Sequence, residues 1–181
     1  ANKNQSYFIG FNYYKTDGIS AMNNDDEKDS YKNNSFTTNH TYKISQNNTI
    51  ENYLTLKKSF VEYDEPTNGR DDTKNSSDNI EAHYNFKFIN TINNFKNTFG
   101  LNKSATSRMV TKYNGRENTY EGFKNMLTYL GEYNFSLDKK IVYGTDLEFF
   151  KAKYPTDPGK NKTHDEEIHS QFFDYQFRPY E

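Results

Sequence analysis

The stretch IENYLTLKKSF, residues 50–60, decides the fold. Ile50, Leu54, Leu56 and Phe60 share one face with Asn52 and Lys58, while Glu51, Thr55, Lys57 and Ser59, plus Tyr53, take the other. Alternation with a period of two puts successive side chains on opposite faces of a β-strand. Residues 80–88, IEAHYNFKF, repeat the pattern: Ile80, Ala82, Tyr84, Phe86 and Phe88 stand against Glu81, His83, Asn85 and Lys87. So do residues 141–150, where Ile141, Tyr143, Leu147 and Phe149 alternate with Val142, Gly144, Asp146, Glu148 and Phe150.

Working outward, weaker versions occur at Tyr7 to Tyr13, Phe36 to Ile44, Phe95 to Leu101, Phe123 to Phe135 and Phe173 to Phe177. Eight strands are predicted. Their aromatic and β-branched residues suit a pleated surface, and Pro66, Pro155 and Pro158 are expected in connections, with Pro179 at the C-terminal edge. The connections are predicted to alternate in length. Ser45 to Asn48, Thr91 to Asn93 and Ser136 to Lys139 read as short polar turns. Asp17 to Ser30, Asp64 to Ser77, Ser104 to Arg116 and Pro155 to Asp165 read as long loops. Tight turns on one rim and long loops on the other are the layout of bacterial outer-membrane barrels. The predicted fold is therefore all-β: an antiparallel transmembrane β-barrel, represented by about eight consecutive strands in four hairpins.

Composition agrees. Only 32% of the 181 residues are hydrophobic, but 17% are aromatic, with 16 Tyr, 15 Phe and no Trp. A disordered polar chain is poor in aromatics. No run approaches the roughly 20 apolar residues of a spanning helix, whereas a spanning strand needs about 9–11 residues of which only alternate ones meet lipid. The net charge of −2 gathers into no basic stripe, so no nucleic-acid partner is expected. The absence of cysteine rules out disulfides and thiolate metal sites. Nor does the chain open on a charged start and apolar core of the signal-peptide kind.

Two other β architectures fit the same alternation. A soluble β-sandwich or barrel would turn the aromatic face inward; Gly10, Gly100, Gly131 and Gly144 within strands, and strands longer than about five or six residues, speak against it. A complete eight-stranded membrane barrel, structural or adhesive in role, is the other.

The segments FIGFNYYKTDGIS (8–20), NNDDEKDSYKNNSF (23–36) and YEGFKNMLTYLGEYNFSLDKKIVYGTDLEFFKAKY (120–154) resemble the early barrel of TonB-dependent outer-membrane receptors, especially the vitamin B12 (cobalamin) transporter group. That resemblance implies a 22-stranded barrel, a plug domain in its lumen, and uptake of a large scarce nutrient, cobalamin or a siderophore-type iron chelate, powered through the TonB complex. Residues 1–181 then form a partial barrel domain, an open part of the 22-stranded wall, with no recognisable plug. They would sit among outer-membrane lipid and would not be an enzyme.

The resemblance also implies a calcium site. Acidic residues Asp26, Glu27 and Asp29 fall at the acidic segment of the family's loop, Tyr63 and Asp64 match its Tyr-Asp pair, and Asp72 its last acid; its first acidic position is Ser20 here. Hard oxygen donors at short spacing suit Ca²⁺. The plainer alternative is a solvated loop tip, where Asp and Asn favour turns. His164 and His169 flank acids in what reads as a loop but lack a ligand motif, as do His40 and His83. No nucleophile elbow or phosphate loop is present, and a barrel esterase would be recognisable only by geometry. Tyr7, Tyr42, Tyr133 and Tyr143 near strand ends suit the headgroup level. Tyr63, Tyr113 and Tyr154, near the long connections, are the candidate contacts for a large ligand.

Overall fold

In the computed structural model, residues 4–18, 28–63, 75–112, 114–157 and 160–178 are described. Eight strands follow one another: β1 (Gln5–Thr16), β2 (Tyr31–Lys43), β3 (Asn48–Glu62), β4 (Ser76–Ile92), β5 (Phe95–Thr111), β6 (Glu117–Asn134), β7 (Lys139–Asp157) and β8 (Lys160–Phe177). Each pairs antiparallel with the next, so the sheet order is the chain order. The fold is all-β, one antiparallel sheet. Among the described residues β8 does not return to pair with β1, and the sheet is not closed. This is not the closed eight-stranded barrel that the sequence left open.

All eight predicted strands form, but several run further than their alternation. Ser104 to Thr111 belongs to β5 rather than to a long loop, and Pro155 to Asp157 and Lys160 to Asp165 belong to β7 and β8. Pro155 thus lies in a strand, beside an irregularity in the register between Pro155 and Asp157. The reason is chemical. In β6 to β8 the ladder continues past the last outward apolar residues, where salt bridges such as Lys153–Glu121 (3.5 Å) and Lys151–Asp165 (3.9 Å) span the strands on the face that is aromatic elsewhere. With that face charged, the contrast of an apolar face against a polar one that announces a strand is lost there. The two rims are consequently less different in connection length than the sequence suggests: five residues join β5 to β6 and two join β7 to β8.

The short turns form close to their predicted places, with Asn48, Thr91 and Lys139 taken into β3, β4 and β7. Between β2 and β3 the Ser45 hydroxyl accepts from the Asn47 amide (3.2 Å) and the Asn48 side chain (2.9 Å). Between β4 and β5, Asn93 adopts φ 51°, a left-handed conformation that Asn tolerates and that a two-residue hairpin uses.

Among the described residues a packed interior is almost absent. Among them Val110 is the buried hydrophobic side chain, whereas Phe11 is 72% exposed and Leu56, Phe123, Leu127 and Phe149 are exposed too. Leu54 and Phe86 are half-buried by same-face neighbours. Among the described residues no second layer covers the aromatic face, and its side chains do not converge as the sandwich reading needs.

The register gathers the apolar residues on one face. Phe11, Phe36, Leu56, Ala82, Ala105 and Phe123 form one row, each opposite the next. Nearer the short turns, Phe88, Phe99, Tyr129 and Tyr143 form a cluster of rings 5.0–6.4 Å apart. There the Tyr129 hydroxyl donates to Asn97 (2.8 Å) and contacts the Tyr143 hydroxyl (3.1 Å). Tyr7, Tyr42, Tyr133 and Tyr143 all lie toward this short-turn rim.

Candidate ligand-facing surface

The opposite face is polar because every alternate residue of the same strands points there. From β2 to β5 it carries mainly hydroxyls and amides. Thr37 and Thr55 meet across β2–β3 at 3.4 Å, and the Asn85 side-chain amide donates to Asn102 across β4–β5. Toward β6 and β7 it carries ion pairs. Lys124 meets Glu148 at 2.6 Å, and Glu132 sits between Lys96 (3.0 Å) and Lys140 (3.4 Å) near the short-turn rim. Lys57 meets Glu81 at 3.4 Å, with His83 3.9 Å from the same carboxylate. Positive and negative groups are thus largely paired within the face itself.

Two hollows adjoin there, sharing His83, Ser104 and Lys124. One, about 330 Å³, extends over Gly122, Phe150 and Ala152 to His164; the other, about 350 Å³, includes Tyr53, Asn85, Asn102 and Met126. A hollow of about 640 Å³ on the aromatic side lies among Phe123, Phe149, Lys151, Asp165 and Glu167. None of these hollows is announced by the sequence, where Ser104, which lines the first two, stands in a stretch that reads as a loop. The available signal was the alternation itself, which places Ser104, Lys124 and Phe150 on the polar side of three successive strands.

Of the predicted calcium ligands, Asp26, Glu27, Asp64 and Asp72 lie outside the described residues. Asp29, two residues before β2, and Tyr63, directly after β3, lie at one rim: the adjacent Ser30 amide donates to the Glu62 carboxylate (3.1 Å), and the Glu62 amide donates to the Ser30 carbonyl (2.9 Å). Among the described residues no three His, Asp or Glu side chains cluster as a metal site.

The histidine expectation is corrected. His164 and His169 are in β8, not in a loop, and five residues apart in a strand they face opposite sides. Each instead meets a neighbouring acid, Glu166 at 3.8 Å and Glu167 at 2.6 Å. His40 stacks on Tyr42 with centroids 6.4 Å apart on the aromatic face. His83 lies opposite Ser104 and near Glu81, but no hydrogen bond joins Ser104 to His83. Of the candidate ligand tyrosines, Tyr113 lies outside the described residues, while Tyr63 directly follows β3 and Tyr154, opposite Lys162, lies near the end of β7, both at the rim away from the short turns.

No family model matches this chain, and no curated protein matches it in sequence. Its fold is similar to that of a chain in a solved structure described as the RagAB peptide importer in the 'closed-closed' state, with a TM-score of 0.63 over 97% of this chain at 14% identity. This chain spans only 29% of the length of that one, and what the two share is the β-sheet fold.

Proposed function

We propose that this chain is part of the wall of an outer-membrane barrel transporter of the TonB-dependent type, with its aromatic face toward lipid and its polar face toward the lumen. The observation that carries the reading is the slant of the apolar band. Following the register from Tyr7 across seven pairings leads through His40, Asn52, Phe86, Leu101, Leu127 and Leu147 to His169, yet the apolar segment of β8 is Phe173 to Phe177. The row from Tyr13 likewise ends at Thr163, ten residues from Phe173. The band therefore slips about eight to ten residues, or roughly 26–33 Å along the strands, over seven strand spacings totalling about 34 Å. A flat bilayer crossing this sheet would meet strands inclined by roughly 40°, within the tilt of outer-membrane barrels.

The similarity to an importer chain supports transport rather than catalysis, and the sequence resemblance supports a cargo of the cobalamin or iron-chelate class. In this reading energy comes from the TonB complex through a plug that these residues do not include. The loop acids with Tyr63 would hold Ca²⁺ and order the rim around the candidate contacts Tyr113 and Tyr154.

Single cysteines test the facing, because residues 1–181 contain none and any elsewhere in the receptor can be replaced first. In the full receptor in membranes, Leu56→Cys and Phe149→Cys should react only with a lipid-phase reagent, and Thr55→Cys and Glu148→Cys with a water-soluble maleimide. Equal maleimide labelling of both sets would end the proposal. Uptake of labelled cobalamin against a ferric chelate, with and without the energising complex, tests the cargo.

A further inference from the structure

The two adjoining hollows on the polar face differ in chemistry. The walls of the first are mostly carbon, from the Phe150 ring, Ala152 and the backbone at Gly122. It is open because small residues meet there: Gly122 pairs with Ala152 on one side and Thr106 on the other. A Cβ on Gly122 would already stand 3.1 Å from the Thr106 methyl. The second hollow is floored by the Asn85–Asn102 amide pair. Because Asn85 donates to Asn102, the pair keeps the Asn85 carbonyl oxygen as an acceptor and the Asn102 amide protons as a donor. An amide presents the complementary pair, one N–H and one C=O. At the junction the Lys124 ammonium is compensated by Glu148 at 2.6 Å and lies 4.8 Å from the Phe150 ring centre. The junction therefore asks for no net charge on what binds.

We propose that this double hollow is a binding subsite for a neutral amide carrying an aryl or branched-alkyl group, the apolar group seated over Gly122 and Ala152 and the amide on Asn85 and Asn102. Its volume is in the range of pockets that bind small molecules, and mostly apolar walls with a few placed polar groups are their usual composition. The inference rests on the transporter reading for its meaning, since only a lumen-facing hollow would meet cargo.

The test uses the full receptor purified in detergent and N-acetylphenylalanine amide as probe, with binding read by saturation-transfer NMR. Saturable binding is expected. Gly122→Leu and Ala152→Leu, which fill the apolar hollow, should each weaken it tenfold or more. Asn102→Leu should weaken it about fivefold, the worth of roughly one net hydrogen bond. Leu56→Val on the other face should leave it unchanged. If Gly122→Leu fails to insert as a heat-modifiable barrel, Ala152→Leu decides alone. Absence of saturable binding to the intact receptor, or binding indifferent to the filling variant that inserts, would overturn the subsite. Cysteine labelling reports on the wall reading separately, so either can fail while the other stands.

Discussion

Gly131 lies beneath the ring of Tyr143, its direct partner across β6 and β7, and a Cβ added there would stand 2.5 Å from the ring. The missing side chain lets the Tyr143 ring lie close to the sheet, where its hydroxyl meets that of Tyr129 and its ring stacks on Phe95 with centroids 6.3 Å apart. Gly144 and the Phe172 ring repeat the relation on the other face.

Gly131→Ala should therefore displace Tyr143 and disturb the ring cluster, at a cost of about 1–3 kcal/mol as for other overpacked sites. Tyr143→Phe, which loses only the hydroxyl contact, should cost about 1 kcal/mol or less. Urea unfolding of the receptor in lipid vesicles, followed by tyrosine fluorescence, would rank the two; equal effects would mean the glycine fills no steric role.

The facing of β3 predicts an asymmetry between adjacent residues. Leu56→Arg, on the aromatic face, should destabilise the membrane-inserted state by about 2–4 kcal/mol, as charges do near the bilayer midplane. Thr55→Arg, one residue away on the polar face, should stay within about 0.5 kcal/mol. The folded fraction in vesicles measures both.

Glu132 ties β5 and β7 to β6 through Lys96 and Lys140. Glu132→Gln should lower stability by about 1 kcal/mol or less, because the lysines are partly exposed, and the loss should shrink as salt is raised. Denaturation at low and high ionic strength is the measurement.

In the turn between β6 and β7 the Ser136 hydroxyl donates to the Asp138 carboxylate at 2.5 Å. That bond, aided by the residue's own backbone amide and by Lys139, holds the Asp138 carboxyl below the usual aspartate range against a smaller opposing effect of burial. A lowered folded value means that the contribution is present above the unfolded pKa and fades as pH falls through the folded one. Carboxyl NMR titration should show Asp138 titrating low and Ser136→Ala moving it upward; no movement would assign the shift to other groups.

Calcium titrated into the full receptor should release heat, and Asp29→Asn should weaken that signal severalfold through lost ligand charge. An identical isotherm for the variant would remove Asp29 from the set.

The sequence by itself determined the strands and their faces. Ile50 to Phe60 and Ile80 to Phe88 could only be half-apolar strands, because a one-residue slip would turn every side chain to the wrong side. It also located the short turns, since polar residues such as Ser45 to Asn48 and Asn93 interrupt the alternation. It could not find the strand ends in Ser104 to Thr111 or in most of β8, because few apolar residues mark a face there and the ladder is held by backbone hydrogen bonds that any residue but proline can make. Tertiary structure decided what register alone controls. Asn85 meets Asn102, Tyr143 covers Gly131, and Gly122 opens a hollow between Thr106 and Ala152 only because of how the strands are offset. The same offsets slant the apolar band. Residues distant in sequence become neighbours through hydrogen-bond pairing, and a pattern of period two is blind to which pairs form.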